Sequence, residues 1–202
     1  MCRASVGMTI RLEGVRSHAA TPEKGRSPID ALLRLASHVT SIGATTDAMV
    51  TIVSIRSGER DFGIAPGDAE LCITIRGGVE TPLDKLCTAL EADARRIARA
   101  GGVSSSVVLS DAFPAVDNDR DAVRAIYAAA GALEREVIAP TLPFAFSEDV
   151  AHLIAAYGGA FCGIGAGEGH AALHDPTYDF PDALIEIGAP VLFEIARRMS
   201  DA

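Results

Sequence analysis

The first half of the chain changes its hydrophobic period four times in a fixed order, and that order admits few folds. Residues 8–13 alternate, with Met8, Ile10 and Leu12 on one side and Thr9, Arg11 and Glu13 on the other, as in a half-buried strand. Ser27-Pro28 then opens a helix, Ser as N-cap and Pro at the first helical position, with Ile29, Leu32, Leu33, Ala36 and Val39 as its apolar stripe and Gly43 as its stop. Residues 48–56 form a second strand. Its alternation slips between Ile52 and Val53, which marks a bulge or burial on both faces. Residues 69–76 form a third strand, with Leu71, Ile73 and Ile75 opposite Cys72, Thr74 and Arg76. Thr81-Pro82 opens a second helix with the stripe Leu83, Leu86, Leu90, Ala94 and Ile97, and Gly101-Gly102 stops it. Residues 103–109 supply a fourth strand. The order βαββαβ predicts a ferredoxin-like arrangement: a four-stranded antiparallel sheet, both helices on one face, the other face free.

After Asp111 the pattern changes. Ala112-Phe113-Pro114-Ala115 reads as a linker. Residues 119–133 and 148–157 read as helices, the second capped by Ser147 with carboxylates in its first turn. Ala160 to Ile164 reads as a short buried strand, and Pro181 to Met199 as a last helix. This stretch has too few strands to close a sheet by itself, so it reads as part of a larger α/β layer.

Composition mainly excludes. With 202 residues and 49% hydrophobic against 22% charged residues, the chain is globular rather than disordered. The net charge of −9 argues against a nucleic-acid surface. No apolar run approaches the ~20 residues that span a bilayer, so no membrane partner is expected. The N-terminus lacks the apolar core of a signal peptide. Cys2, Cys72, Cys87 and Cys162 form no CxxC pair, which disfavours a structural zinc site; reduced thiols in a cytoplasmic protein are the simplest expectation.

The chemistry-bearing residues gather in a few loops. Leu173-His174-Asp175-Pro176-Thr177-Tyr178-Asp179-Phe180 packs a histidine and two carboxylates between a glycine-rich run and a helix. His174 is either a loop histidine bonded to backbone or a metal ligand or general base, with Asp175 and Asp179 to orient it. Ser147-Glu148-Asp149 is either a capped helix start or a pair of carboxylates beside a metal site. Ser17-His18-Ala19-Ala20 places a second histidine in a loop after the first strand, next to the free sheet face. His38 and His152 fall inside helices and read as structural, and His170 has no supporting pattern. Arg76 reads as a solvated strand end. The glycines at 163, 165, 167 and 169 follow a predicted strand, but no helix starts within the run and no P-loop lysine follows. Backbone freedom near His174 explains them better than a phosphate cradle.

Taken in order, Gly14-Val15-Arg16-Ser17-His18-Ala19-Ala20-Thr21-Pro22-Glu23-Lys24-Gly25, then Phe62-Gly63-Ile64-Ala65-Pro66-Gly67-Asp68 through Arg76, then Ser147-Glu148-Asp149, then Leu173 to Phe180 resemble the motifs of the M20 metallopeptidase and amidohydrolase family, nearest its amidohydrolase branch. The resemblance implies a ferredoxin-like lid or dimerisation domain over residues 1–111 and the C-terminal portion of an α/β zinc-hydrolase catalytic domain over 112–202. It implies hydrolysis of the amide bond of N-acyl amino acids or small peptide-like substrates, with a divalent metal, zinc or manganese, and a homodimer through the lid. It makes His174 the last metal ligand, with Glu148 and Asp149 near the metal site. It makes His18 a catalytic residue that reaches a neighbouring active site and stabilises the oxyanion, and Arg76 the residue that binds a substrate carboxylate. Such roles are physically sensible, because a metal polarises the amide carbonyl and a positioned donor stabilises the developing charge. Gly63 stands where the family pattern often has asparagine, so recognition of the carboxylate is expected to differ there. The resemblance begins at the lid. The other metal ligands and the general-base glutamate belong to a preceding half, and residues 1–111 offer no HxD motif or glutamate pair in their stead. The expectation is therefore a truncated enzyme with little or no activity of its own. A non-catalytic dimerisation or small-ligand-binding module is the alternative.

Overall fold

A computed structural model describes residues 2–77 and 82–200. Strand β1 (Ser5–Glu13) turns Val6, Met8, Ile10 and Leu12 inward, and all four are buried. A two-residue strand, β2 (Ser17–His18), follows, then helix α1 (Ile29–Thr45) and strand β3 (Met49–Ser57). A second two-residue strand, β4 (Ile64–Ala65), precedes β5 (Asp68–Arg76), which buries Ala69, Leu71, Ile73 and Ile75. Helix α2 (Leu83–Ala100) and strand β6 (Ser104–Phe113) complete the unit. The four long strands pair antiparallel in the order β3-β5-β1-β6. The buried stripes of α1 (Ala31, Leu32, Leu35, Val39) and α2 (Cys87, Leu90, Ala94, Ala98) join the inward residues of β1 and β5 in one cluster. Both helices therefore cover the same sheet face, as the βαββαβ order predicts. The other face carries Thr9, Cys72 and Thr74 and the cross-strand pair Arg11–Glu70 (3.0 Å).

The slip at Ile52/Val53 is a bulge: the register with β5 shifts between Ile52 and Ser54, and Val53 is 65% exposed rather than buried on both faces. Some local expectations need correction. Helix α1 starts after Pro28, where Ser27 Oγ accepts from Ile29 N–H at 3.4 Å, and it runs past Gly43 to Thr45. Thr81 lies outside the described residues. Strand β6 continues through Ala112 and Phe113, so the linker starts later than the composition suggests.

Contacts group the described chain into two units, residues 2–115 with 143–151, and residues 116–142 with 152–200. The second contains helix α3 (Arg120–Ala132), whose Asp119 carboxylate accepts from the N–H groups of Asp121 and Ala122. Helix α4 (Val150–Tyr157) follows, and α5 (Ala183–Ser200) packs against α3. The strand expected over 160–164 does not form. The Asn118 side-chain amide takes both main-chain groups of Phe161, at 2.9 Å each, so a side chain fills the place of a neighbouring strand.

Candidate functional site

The loop from β1 to α1 is built on close backbone approach. Gly14 N–H donates to the Gly67 carbonyl at 2.7 Å, and Val15 and Arg26 exchange both main-chain hydrogen bonds (2.9 and 2.7 Å). A Cβ on Gly14 would sit 1.9 Å from the Arg26 carbonyl oxygen, and one on Gly25 would sit 2.6 Å from both Ser17 Oγ and the Val15 carbonyl oxygen. These glycines let the loop fold flat and bring β2 alongside β4. In that short ladder His18 pairs with Ile64, and Ala19 N–H donates to the Gly63 carbonyl at 2.9 Å. The segments that carry His18 and Gly63, both singled out in the sequence, thus pair side by side. Gly63 N–H is in turn fixed by the Asp61 carboxylate at 2.8 Å. The His18 ring is exposed, and its Nδ1 accepts from Ala20 N–H at 3.0 Å.

Arg76 is not a solvated strand end. It is half-buried, and its Nη1 donates to Ser147 Oγ at 2.9 Å. The Ser147 hydroxyl donates onward to the Arg3 carbonyl at 2.7 Å, and Arg3 N–H reaches the carbonyls of Phe144 and Phe146 at 3.2 Å each. The Phe144 and Phe146 rings stack at 4.9 Å. Segment 143–151 is thereby strapped to the start of β1 and the end of β5. Ser147 acts through these long-range bonds rather than as the cap of α4. That helix begins at Val150, which leaves Glu148 and Asp149 ahead of its first turn. Cys2, 2% exposed beside this strap, has its thiol pushed up chiefly by burial and further by the Glu148 charge.

His174 sits in a tight turn with left-handed backbone, φ +70°. The turn is organised by Asp175, whose carboxylate accepts from the Thr177 hydroxyl (2.6 Å) and N–H (2.8 Å). Those bonds hold its carboxyl below the usual carboxylate range. The loop is closed by a histidine that the sequence did not single out. The His170 ring meets Tyr178 edge-on at 5.1 Å, with Nδ1 2.7 Å from the Ala171 carbonyl and Nε2 2.9 Å from the Asp179 carbonyl. No spacing rule marks that role, because the partners are two main-chain oxygens.

These residues by themselves do not make a metal site. Among the described residues, no three His, Cys, Asp or Glu side chains converge where they could hold one. Asp175 spends one carboxylate oxygen on Thr177. The glycine run offers no cradle either. A Cβ on Gly163, Gly165, Gly167 or Gly169 would meet nothing within 4 Å. His38 pairs with Asp93 at 2.8 Å, joining α1 to α2 in a structural role.

Residues 2–102 match the M20 dimer family, described as the peptidase dimerisation domain. Succinyl-diaminopimelate desuccinylase of Methylocella silvestris is 30% identical over 112 residues, which is 52% of this chain and 29% of that protein. Among solved structures, the Bacillus subtilis YXEP protein, described as a dinuclear metal binding peptidase from the M20 family, superposes with a TM-score of 0.72 at 19% identity. The match covers 97% of this chain and 50% of that one. A tripeptidase from Staphylococcus aureus gives 0.71 at 15% identity, over 96% and 51%. At these identities the superpositions show the fold alone. The chain spans under a third of the desuccinylase and about half of each of these structures.

Proposed function

Because this chain belongs to the M20 peptidase family, whose dimerisation domain it carries over residues 2–102, we propose that it is the lid and C-terminal part of a metal-dependent amidohydrolase. In this reading residues 1–111 are the dimerisation domain and residues 112–202 the C-terminal portion of the catalytic domain. The parent reaction is hydrolysis of the amide bond of an N-acyl amino acid or small peptide-like substrate. His18 donates a hydrogen bond to the scissile carbonyl oxygen as charge develops on it. Arg76, oriented by Ser147, pairs with the substrate carboxylate, and Gly63 leaves room beside His18 for the substrate. The observation that carries the reading is the β2–β4 ladder, which pairs His18 with Ile64 and bonds Ala19 to Gly63 within the residues that match the family.

The same reading assigns His174 to a zinc or manganese centre, with Glu148 and Asp149 near it. A tight site needs about four ligands, and the described residues do not assemble three. The remaining ligands and the general base must come from polypeptide outside the described residues. The chain alone is expected to be a homodimer through its lid, with neither tight zinc binding nor turnover. The edge strands support that dimer: Val108 and Leu109 on β6 and Val53 on β3 are more than half exposed. No helix among the described residues is long and apolar enough to cross a membrane. The reading sets the protein in the cytoplasm, where its free cysteines stay reduced.

Sedimentation equilibrium and zinc titration, with hydrolysis assays on N-acetyl amino acids, test this together. A metal-free dimer without turnover is expected. A monomer would remove the lid assignment, and micromolar or tighter zinc binding with turnover would remove the dependence on outside ligands. The absence of a converging ligand set also suits a second reading, a non-catalytic dimerisation or small-ligand-binding module. Limited proteolysis separates the two. A module protects residues 112–202, whereas a fragment of a larger catalytic layer is cut there.

A further inference from the structure

The turn after β2 decides which nitrogen of His18 carries its proton. Three consecutive main-chain N–H groups are committed there. Ala19 donates to the Gly63 carbonyl at 2.9 Å, Ala20 to His18 Nδ1 at 3.0 Å, and Thr21 to the His18 carbonyl at 2.9 Å. The first pins the turn to β4, and the third closes it as a β-turn that starts at His18. Between them, Ala20 N–H meets the ring. A backbone N–H can only donate, so Nδ1 must present its lone pair, and in the neutral imidazole the proton then lies on Nε2. The other tautomer would set two N–H groups face to face. Nε2 has no hydrogen-bond partner among the described residues.

We propose that Ala20 is a positioning residue: its main-chain N–H holds His18 as the Nε2–H tautomer, so the lid presents a hydrogen-bond donor and not a proton-accepting base. A donor of this kind needs no protonation to act on a carbonyl or oxyanion, and it keeps the same N–H in the imidazolium form. That the recipient is a substrate carbonyl rests on the hydrolase reading above; the tautomer itself does not.

The test is long-range proton–nitrogen NMR of the 202-residue chain labelled with ring-¹⁵N histidine, in buffer basic enough to keep imidazole neutral. His18→Gln identifies the resonances. Relative to the same chain unfolded in urea, the Nε2–H to Nδ1–H ratio at His18 is expected to rise about three- to tenfold, the span a single net hydrogen bond supplies. Ala20→Pro, which deletes the N–H, returns the ratio to the unfolded value, and Ala20→Gly, which keeps it, does not. The His38 ring, bonded to Asp93, reports whether each variant is folded. An unchanged ratio in the folded wild-type chain overturns the proposal even if Ala20→Pro does not fold. A ratio indifferent to Ala20→Pro in a folded protein overturns it as well. Failure of the hydrolase reading would appear instead as protection of residues 112–202 in limited proteolysis or as a monomer in sedimentation, with these ring resonances unaffected.

Discussion

Arg76 Nη1 lies 2.9 Å from Ser147 Oγ, 71 positions away in the chain, and that same oxygen donates to the Arg3 carbonyl 2.7 Å off. One hydroxyl therefore orients the guanidinium at the end of β5 and straps segment 143–151 to the start of β1. Ser147→Ala removes both bonds and leaves a half-buried guanidinium and a carbonyl short of a partner. Such losses cost roughly 1–3 kcal/mol. Urea denaturation should show a lowered midpoint with an unchanged slope, and limited proteolysis should cut sooner around residues 143–149. Ser147→Thr, which keeps the oxygen, should recover most of the loss. Equal stability of wild type and Ser147→Ala would mean that the strap is held by the Phe144 and Phe146 contacts alone.

Gly14 is set by space rather than by backbone angle. A methyl there would sit 1.9 Å from the Arg26 carbonyl oxygen, which is main chain and cannot swing aside. Gly14→Ala should cost about 1–3 kcal/mol or more, as overpacking does. It should also loosen the Val15–Arg26 pair, seen as faster amide exchange at Val15 and Arg26. Gly131→Ala, where an added Cβ meets nothing within 4 Å and the position is helical, is the control and should be neutral or stabilising. A Gly14→Ala variant as stable as the wild type would show that the loop does not need this approach.

The lid was legible because its signals are local and mutually consistent. The alternation of Met8, Ile10 and Leu12, and of Leu71, Ile73 and Ile75, is the burial pattern of β1 and β5, and the slip at Ile52/Val53 is the bulge. The misreadings arise where a distant partner decides. Ala160 to Ile164 has the apolar composition of a strand, yet a strand needs a ladder, and the Asn118 amide occupies Phe161 instead. Ser147 has the spacing of a cap, yet its partners are Arg3 and Arg76. At the candidate site, motif order names the segments that carry His18 and Gly63, but nothing in it shows that they pair as β2 and β4. The closure of the His174 loop by His170 and Tyr178 follows from nothing in the spacing, since ring contacts and carbonyl acceptors leave no pattern in sequence.

The core makes a sharper prediction than the second unit. Leu71 is fully buried between β1 and β3, within the cluster that α1 and α2 cover. Leu71→Ala should cost about 2–5 kcal/mol, from lost transfer energy plus the cavity left behind. Phe193 on α5 is 70% exposed, and Phe193→Ala in the isolated chain should change stability by under about 0.5 kcal/mol. Paired denaturation curves check both. A large loss at Phe193 would mean that α5 buries this ring in solution, as in a homodimer that extends beyond the lid.

Acid sensitivity should concentrate at the end of α5. The Glu194 carboxylate takes two hydrogen bonds from Arg197 and one from Arg198, and these hold its carboxyl down at about 2. Arg197 is the larger cause, followed by partial desolvation, which opposes it, and then Arg198. An unfolded glutamate titrates near ~4.3. Between these values the unfolded chain binds the proton and the folded chain does not, so falling pH favours unfolding there. The stabilisation is thus fully present above ~4.3 and is lost as pH falls toward about 2. Glu194→Gln should be less stable than the wild type near neutral pH, and the gap should close on acidification through that window. Thermal melts of both proteins across pH 2.5–7 measure it. A gap of constant size would show that the three contacts do not distinguish the charged carboxylate from an amide, and that Arg197 and Arg198 act on α5 only through its C-terminal dipole.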